Sequence, residues 1–178
     1  MNVFVLNSGR CGSTTFIRAC THIRNYSAGH ESRIHRIGPG RLAYPERHIE
    51  ADNRLSWYLG RLEQAYGERA FYVHLSRDRG ATAASFARRA DFGIMQAYRE
   101  GILLGGTEGQ DALDLALDYL ETVDTNIRLF LGDKPLRMDF RLETAKEDFT
   151  RFWRQIGAEG ELHRALAEWD VNHNASVD

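Results

Sequence analysis

Lysine is almost missing from this chain: Lys134 and Lys146 are the only two among 23 cationic side chains, and the rest are arginine. The arginine fork suits phosphate and sulfate, although a GC-rich genome produces the same bias. Cysteine is also scarce. Cys11 and Cys20 form no disulfide framework and lack the paired spacing of a zinc site, so a reducing, cytoplasmic setting is expected. No apolar run approaches the roughly 20 residues that cross a bilayer, so no stable membrane anchor is expected. No basic stretch followed by an apolar core opens the chain, which gives no sign of a signal peptide. The net charge of -2 lacks the basic excess of a general nucleic-acid binder. With no repeat, linker or low-complexity tract, residues 1–178 read as one domain.

What is present alternates. "VFVL" (3–6) is apolar without alternation, as a fully buried parallel strand requires. Residues 13–23 read as a helix, with Phe16, Cys20 and Ile23 on one face. "NYSAGHE" (25–31) is a weak candidate for a second strand. Residues 49–66 carry Leu55, Trp57, Tyr58, Leu59 and Leu62 at helical spacing. "AFYVHLS" is the clearest later strand, and "RGATAASFARRA" reads as the helix after it. A glycine-rich connection, 101–109, precedes a long amphipathic helix over 111–131. "PLRMDF" reads as the last strand, with helices near 143–156 and 161–169. Strands alternating with helices predict a three-layer α/β fold around a central parallel sheet.

In such folds ligands bind where a strand's carboxyl end leads into a helix. Here "NSGRCGSTT" (7–15) follows the first strand directly. Gly9 and Gly12 permit close backbone approach, and the first N–H groups of the next helix would face an anion. Ser13, Thr14 and Thr15 add hydroxyls, and Arg10 adds charge. The triphosphate loop G-x-x-x-x-G-K-[ST] is absent, because Ser13 rather than lysine follows Gly12. The dinucleotide fingerprint is absent too. Cys11 and Arg18 stand one residue too far apart for a cysteine phosphatase loop, so Cys11 reads as a packing residue.

"GRCGSTTF" (9–16) resembles the 5′-phosphosulfate loop of the sulfotransferases that use 3′-phosphoadenosine-5′-phosphosulfate (PAPS). "YVHLSRDRGATAASFARR" is similar to that family's second motif. There an arginine closing a strand and a serine eight residues later hold the 3′-phosphate, and Arg77 and Ser85 match them. "PLRMDFRLETAKEDFTRFWRQIG" is similar to the family's last strand and helix. The resemblance implies a P-loop-like fold, PAPS as sulfate donor, and no metal. It implies Arg10, Cys11, Gly12, Ser13, Thr14, Thr15, Arg77 and Ser85 at the cofactor, with Arg10 on the oxygen bridging phosphate and sulfate. The general base should lie at the end of the second strand. There Glu31 is the first choice, His30 the second and His35 a distant third.

The sequence departs from the family at three places. Thr15 stands where many members carry the aromatic that stacks on adenine, so adenine is expected to be held differently. Arg79 replaces a frequent proline, and no Arg-Lys-Gly segment occurs near the end. The acceptor, a small molecule, sugar or lipid bearing a hydroxyl or amine, is not encoded in any motif. Residues 32–54 and 92–109 are the loops expected to shape its pocket, and the ending "EWDVNHNASVD" is a candidate to fold back near the site. Two rivals stay open: an atypical P-loop nucleotide or small-molecule kinase, and a non-catalytic nucleotide-binding protein.

Overall fold

The computed structural model describes residues 1–105, 109–171 and 173. Five strands form one sheet: β1 (Val3–Leu6), β2 (Ser27–His30), β3 (His48–Ala51), β4 (Phe71–Ser76) and β5 (Arg137–Arg141). Their order is β2-β3-β1-β4-β5, and every neighbouring pair is parallel. The expected α/β fold with a central parallel sheet is present.

Alternation along β1 builds two cores. Val3 and Val5 join the layer made by α1 (Ser13–Cys20), α6 (Ala145–Gln155) and α7 (Leu162–Ala167), whose core includes Phe16, Phe149, Phe152 and Ala165. Phe4 and Leu6 face the opposite layer of α2 (Leu59–Ala65), α3 (Arg79–Ala87), α4 (Gly93–Ala97) and α5 (Ala112–Leu131). All four β1 side chains are fully buried, so the uninterrupted apolar run reports a strand covered on both faces.

The expected helix over 49–66 is corrected in its first part. Residues 49–51 belong to β3, which sits inside the sheet between β2 and β1. A short 3₁₀ turn (Asn53–Trp57) follows, and α-helix begins only at Leu59. Pairing with two neighbours outweighed local periodicity. Glu50 hid the strand from view. It is fully buried because Ser32 donates to its carboxylate through N–H (2.7 Å) and hydroxyl (2.6 Å), and His48 Nε2 lies 2.9 Å away. The other expected elements are present, with ends displaced by a few residues. The first helix stops at Cys20, and Ile23 instead bridges to Gly160. Part of the glycine-rich connection (106–108) and of the C-terminal segment (172 and 174–178) lies outside the described residues.

A candidate anion and nucleotide cleft

The loop between β1 and α1 is braced from below. Asn7 closes it: its Nδ2 donates to the Val5 carbonyl (3.0 Å) and its Oδ1 accepts from the Gly9 N–H (2.9 Å). The Ser56 hydroxyl donates to the Asn7 carbonyl (3.1 Å), and the Tyr119 hydroxyl to that of Ser8 (2.7 Å). The carbonyls of Asn7 and Ser8 are thus held by partners outside the loop. Gly9, Arg10 and Gly12 all take left-handed φ values, 97°, 59° and 94°. At Gly12 a Cβ would also come within 2.7 Å of Leu142 Cδ1. Gly12 is the N-cap of α1, and no acidic residue stands in that helix's first turn. The helix therefore presents an uncompensated positive end.

Four arginines gather there. Arg10 Nε donates to Ser85 Oγ (3.0 Å), and Arg77, just past the end of β4, donates to the Arg10 carbonyl (3.4 Å). Burial first, then the charges of Arg89, Arg77 and Arg88, lower the Arg10 guanidinium below its ordinary pKa. A bound anion relieves that crowding of like charge.

Of the four arginines, Arg10 and Arg77 line a cleft of about 360 Å³, together with Gly12, Ser13, Thr14, Thr15, Leu142, Trp169, Asp170 and Val171. Six of them are candidates from sequence. Ser85 is buried behind Arg10 rather than in the lining. Cys11 lies beneath the loop, its thiol directed at Asn7 Oδ1 (3.5 Å) and pushed up to about 12 by burial. That leaves only its backbone for a ligand and removes thiolate chemistry at neutral pH. Phe16 is wholly buried against Phe140, Phe149 and Phe152, so it does not substitute for the aromatic missing at Thr15.

Of the base candidates, His30 touches a residue that lines this cleft, whereas Glu31 and His35 are not in the lining, and His35 is exposed. His30 Nε2 lies 3.0 Å from Ser13 Oγ, which ties the end of β2 to the first residue of α1. Glu31 adopts φ 51° and its carboxylate pairs with Arg54 (2.9 Å). Arg54 is in turn held by its backbone N–H on Asp52 (2.8 Å). Asn7, Arg54, Leu142 and Trp169 escaped sequence reasoning. All four lay in stretches that the sequence singled out, but none was named for a role there, and residues 169–171, from the ending considered for fold-back, do line the cleft. Among the described residues, no cluster of His, Cys, Asp or Glu is arranged to hold a metal ion, and no helix is long and apolar enough to cross a membrane.

No protein-family model matches the sequence, and no curated protein matches it. Among solved structures, the chain is similar to mouse sulfotransferase SULT7A1 complexed with PAP, at a TM-score of 0.55 and 13% identity. The match covers 98% of this chain and 68% of that one. The likeness is one of fold: the chain shares the P-loop-like α/β architecture of a sulfotransferase.

Proposed function

We propose that the protein is a PAPS-dependent sulfotransferase acting on a hydroxyl or amine of a small-molecule, sugar or lipid acceptor. The observation that carries this reading is the meeting of two distant motifs. Arg10, from the β1 loop, touches Ser85 and Arg77, from the β4 end, at a cleft opening on a helix N-terminus. A loop alone would suit any phosphate. A second arginine–serine pair beside it suits a nucleotide carrying a further phosphate, and the sulfotransferase fold agrees.

Fit to such a donor rests on the cleft's own chemistry. The Gly12–Thr14 amides and the Ser13 and Thr14 hydroxyls suit the 5′-phosphate, and Gly12 leaves room that a Cβ would crowd against Leu142. Arg77, with Arg10 and the Ser85 that holds it close by, suits the 3′-phosphate. Sulfuryl transfer asks for positioning and charge stabilisation, as phosphoryl transfer does. With the donor bound, the acceptor oxygen or nitrogen would bond to sulfur while the bond from sulfur to the bridging phosphate oxygen breaks. The acceptor's proton passes to Glu31, or to His30. Arg10 stabilises the charge that collects on the departing phosphate. The products are the sulfated acceptor and 3′,5′-diphosphoadenosine.

Calorimetric titration with 3′,5′-diphosphoadenosine, against ADP and without magnesium, tests the reading. Micromolar binding of the diphosphate with much weaker ADP is expected. Equal or tighter ADP binding would overturn it in favour of a kinase.

A further inference from the structure

The backbone turn that brings Arg77 to the cleft has little of its own to fix it. Arg77 directly follows β4, and Asp78 is the N-cap of α3. Arg77 is exposed and reaches the Arg10 carbonyl only at 3.4 Å. Residue 79 is arginine, so no proline ring restrains the turn. We propose that Glu143 is a positioning residue: it sets Arg77 toward the 3′-phosphate of the bound nucleotide and thereby raises selectivity for that phosphate. This rests on the nucleotide reading above and concerns a residue to which the family resemblance gives no role.

Three observations carry it. First, the Asp78 N–H donates to Glu143 Oε1 at 2.7 Å, across 65 residues of sequence. That N–H belongs to the planar peptide joining Arg77 to Asp78, so holding it fixes the plane from which the Arg77 backbone departs. Second, the other polar groups of Asp78 are committed to the helix. Its carboxylate accepts from the Ala81 N–H (2.8 Å), and its carbonyl from the Thr82 N–H (2.9 Å) and hydroxyl (2.8 Å). Glu143 supplies the restraint on the Arg77 side. Third, the 3₁₀ turn that carries it, Leu142–Thr144, is part of the site: Leu142 lines the cleft beside Arg77, while Glu143 stays out of the lining. A carboxylate near an anion site opposes the ligand's charge, and Arg141 Nε, 3.9 Å away, offsets only part of it. What Glu143 contributes is therefore its reach to the Asp78 N–H, not its charge.

The test compares the unmodified protein with Glu143→Gln, Glu143→Asp and Glu143→Ala. Calorimetry uses 3′,5′-diphosphoadenosine and, by displacement, ADP, which lacks the 3′-phosphate. Glutamine keeps the reach and an acceptor oxygen without the charge, and aspartate keeps the charge but is one methylene shorter. Glu143→Gln should bind the diphosphate at least as tightly as the unmodified protein. Glu143→Asp and Glu143→Ala should each bind it about fivefold more weakly, with ADP unchanged. Once Arg77→Ala is present, Glu143→Ala should cost nothing further, because the two act as one unit. The glutamine and aspartate variants separate reach from charge by themselves, which keeps the test decisive if the alanine variant fails to fold. Normal binding by Glu143→Asp, a loss in Glu143→Gln as large as in Glu143→Asp, equal weakening of both ligands, or losses additive with Arg77→Ala would overturn the positioning role and leave the sulfotransferase reading standing. If the unmodified protein does not prefer the diphosphate to ADP, both fall together.

Discussion

Arg10 Nε donates to Ser85 Oγ across 3.0 Å of space and 75 residues of sequence. One side chain belongs to the loop that opens α1, the other to the last turn of α3. Their contact joins the loop after β1 to α3, with Arg10 in the cleft lining and Ser85 buried behind it. It also fixes a cation among three others, Arg77, Arg88 and Arg89, whose repulsion an anionic ligand offsets.

That arrangement predicts where nucleotide selectivity resides. Arg77→Ala and Ser85→Ala should each weaken 3′,5′-diphosphoadenosine by roughly tenfold or more, as expected for lost charge-assisted hydrogen bonds of about 1.5–3 kcal/mol. ADP, which lacks the 3′-phosphate, should be little affected. Calorimetry on both ligands reads the difference directly, and equal losses for the two would place Arg77 elsewhere.

Much of this was legible in the sequence because the relevant features are local. A buried strand, two glycines, three hydroxyl residues and an arginine announce themselves within 15 residues. The helices over α5 and α6 were equally plain from their periodicity. What escaped depends on partners distant in the chain. β3 reads as helix because its Glu50 looks solvent-facing, and only Ser32 and His48 make its burial tolerable. Trp169 carries no motif and gains its place through Phe140 and the ion pairs of its turn. Arg54 could not be paired with Glu31 before β3 and β2 were known to be neighbours.

Gly12 should resist replacement for two reasons that can be separated. Its φ of 94° costs an L-residue about 1–2 kcal/mol, and a Cβ would meet Leu142 at 2.7 Å. Gly12→Ala should lower Tm by a few degrees and abolish nucleotide binding. Adding Leu142→Ala should relieve the contact but not the backbone strain, so Tm should recover only in part. Full recovery in the double variant would show that φ contributes nothing.

Cys11 should be chemically silent in the folded protein. Burial raises its thiol to about 12, so at pH 8 the thiolate fraction is on the order of one in ten thousand. Iodoacetamide labelling at pH 8 should proceed only at the rate of unfolding. The sign of the pH effect follows. Between the ordinary thiol value of 9.0 and about 12 the folded state holds a proton that the unfolded state releases, so stability falls as pH rises through that window. Cys11→Ser should lessen that alkaline loss, measured by denaturant titration at pH 8 and pH 11.

Glu31 offers the sharpest test of the chemistry, because its backbone and its side chain pull in different directions. It is one of four non-glycine residues with positive φ among the described residues, and Arg10 is another. Left-handed backbone at a non-glycine residue costs stability and persists where the surroundings impose it, often at functional sites. The surroundings are visible here: the Glu31 N–H donates to the Ala51 carbonyl (3.0 Å), and Arg54 pairs with the carboxylate. That ion pair, about a third exposed at both side chains, contributes little, about 0–1 kcal/mol. Glu31→Gly should therefore leave Tm unchanged or slightly raised, since glycine accepts the turn without strain. Glu31→Gln and Glu31→Gly should both bind 3′,5′-diphosphoadenosine normally and both lose turnover. Near-normal turnover in Glu31→Gln would remove Glu31 as the base and pass the role to His30. In that case His30→Ala would be the variant that binds nucleotide and fails to transfer.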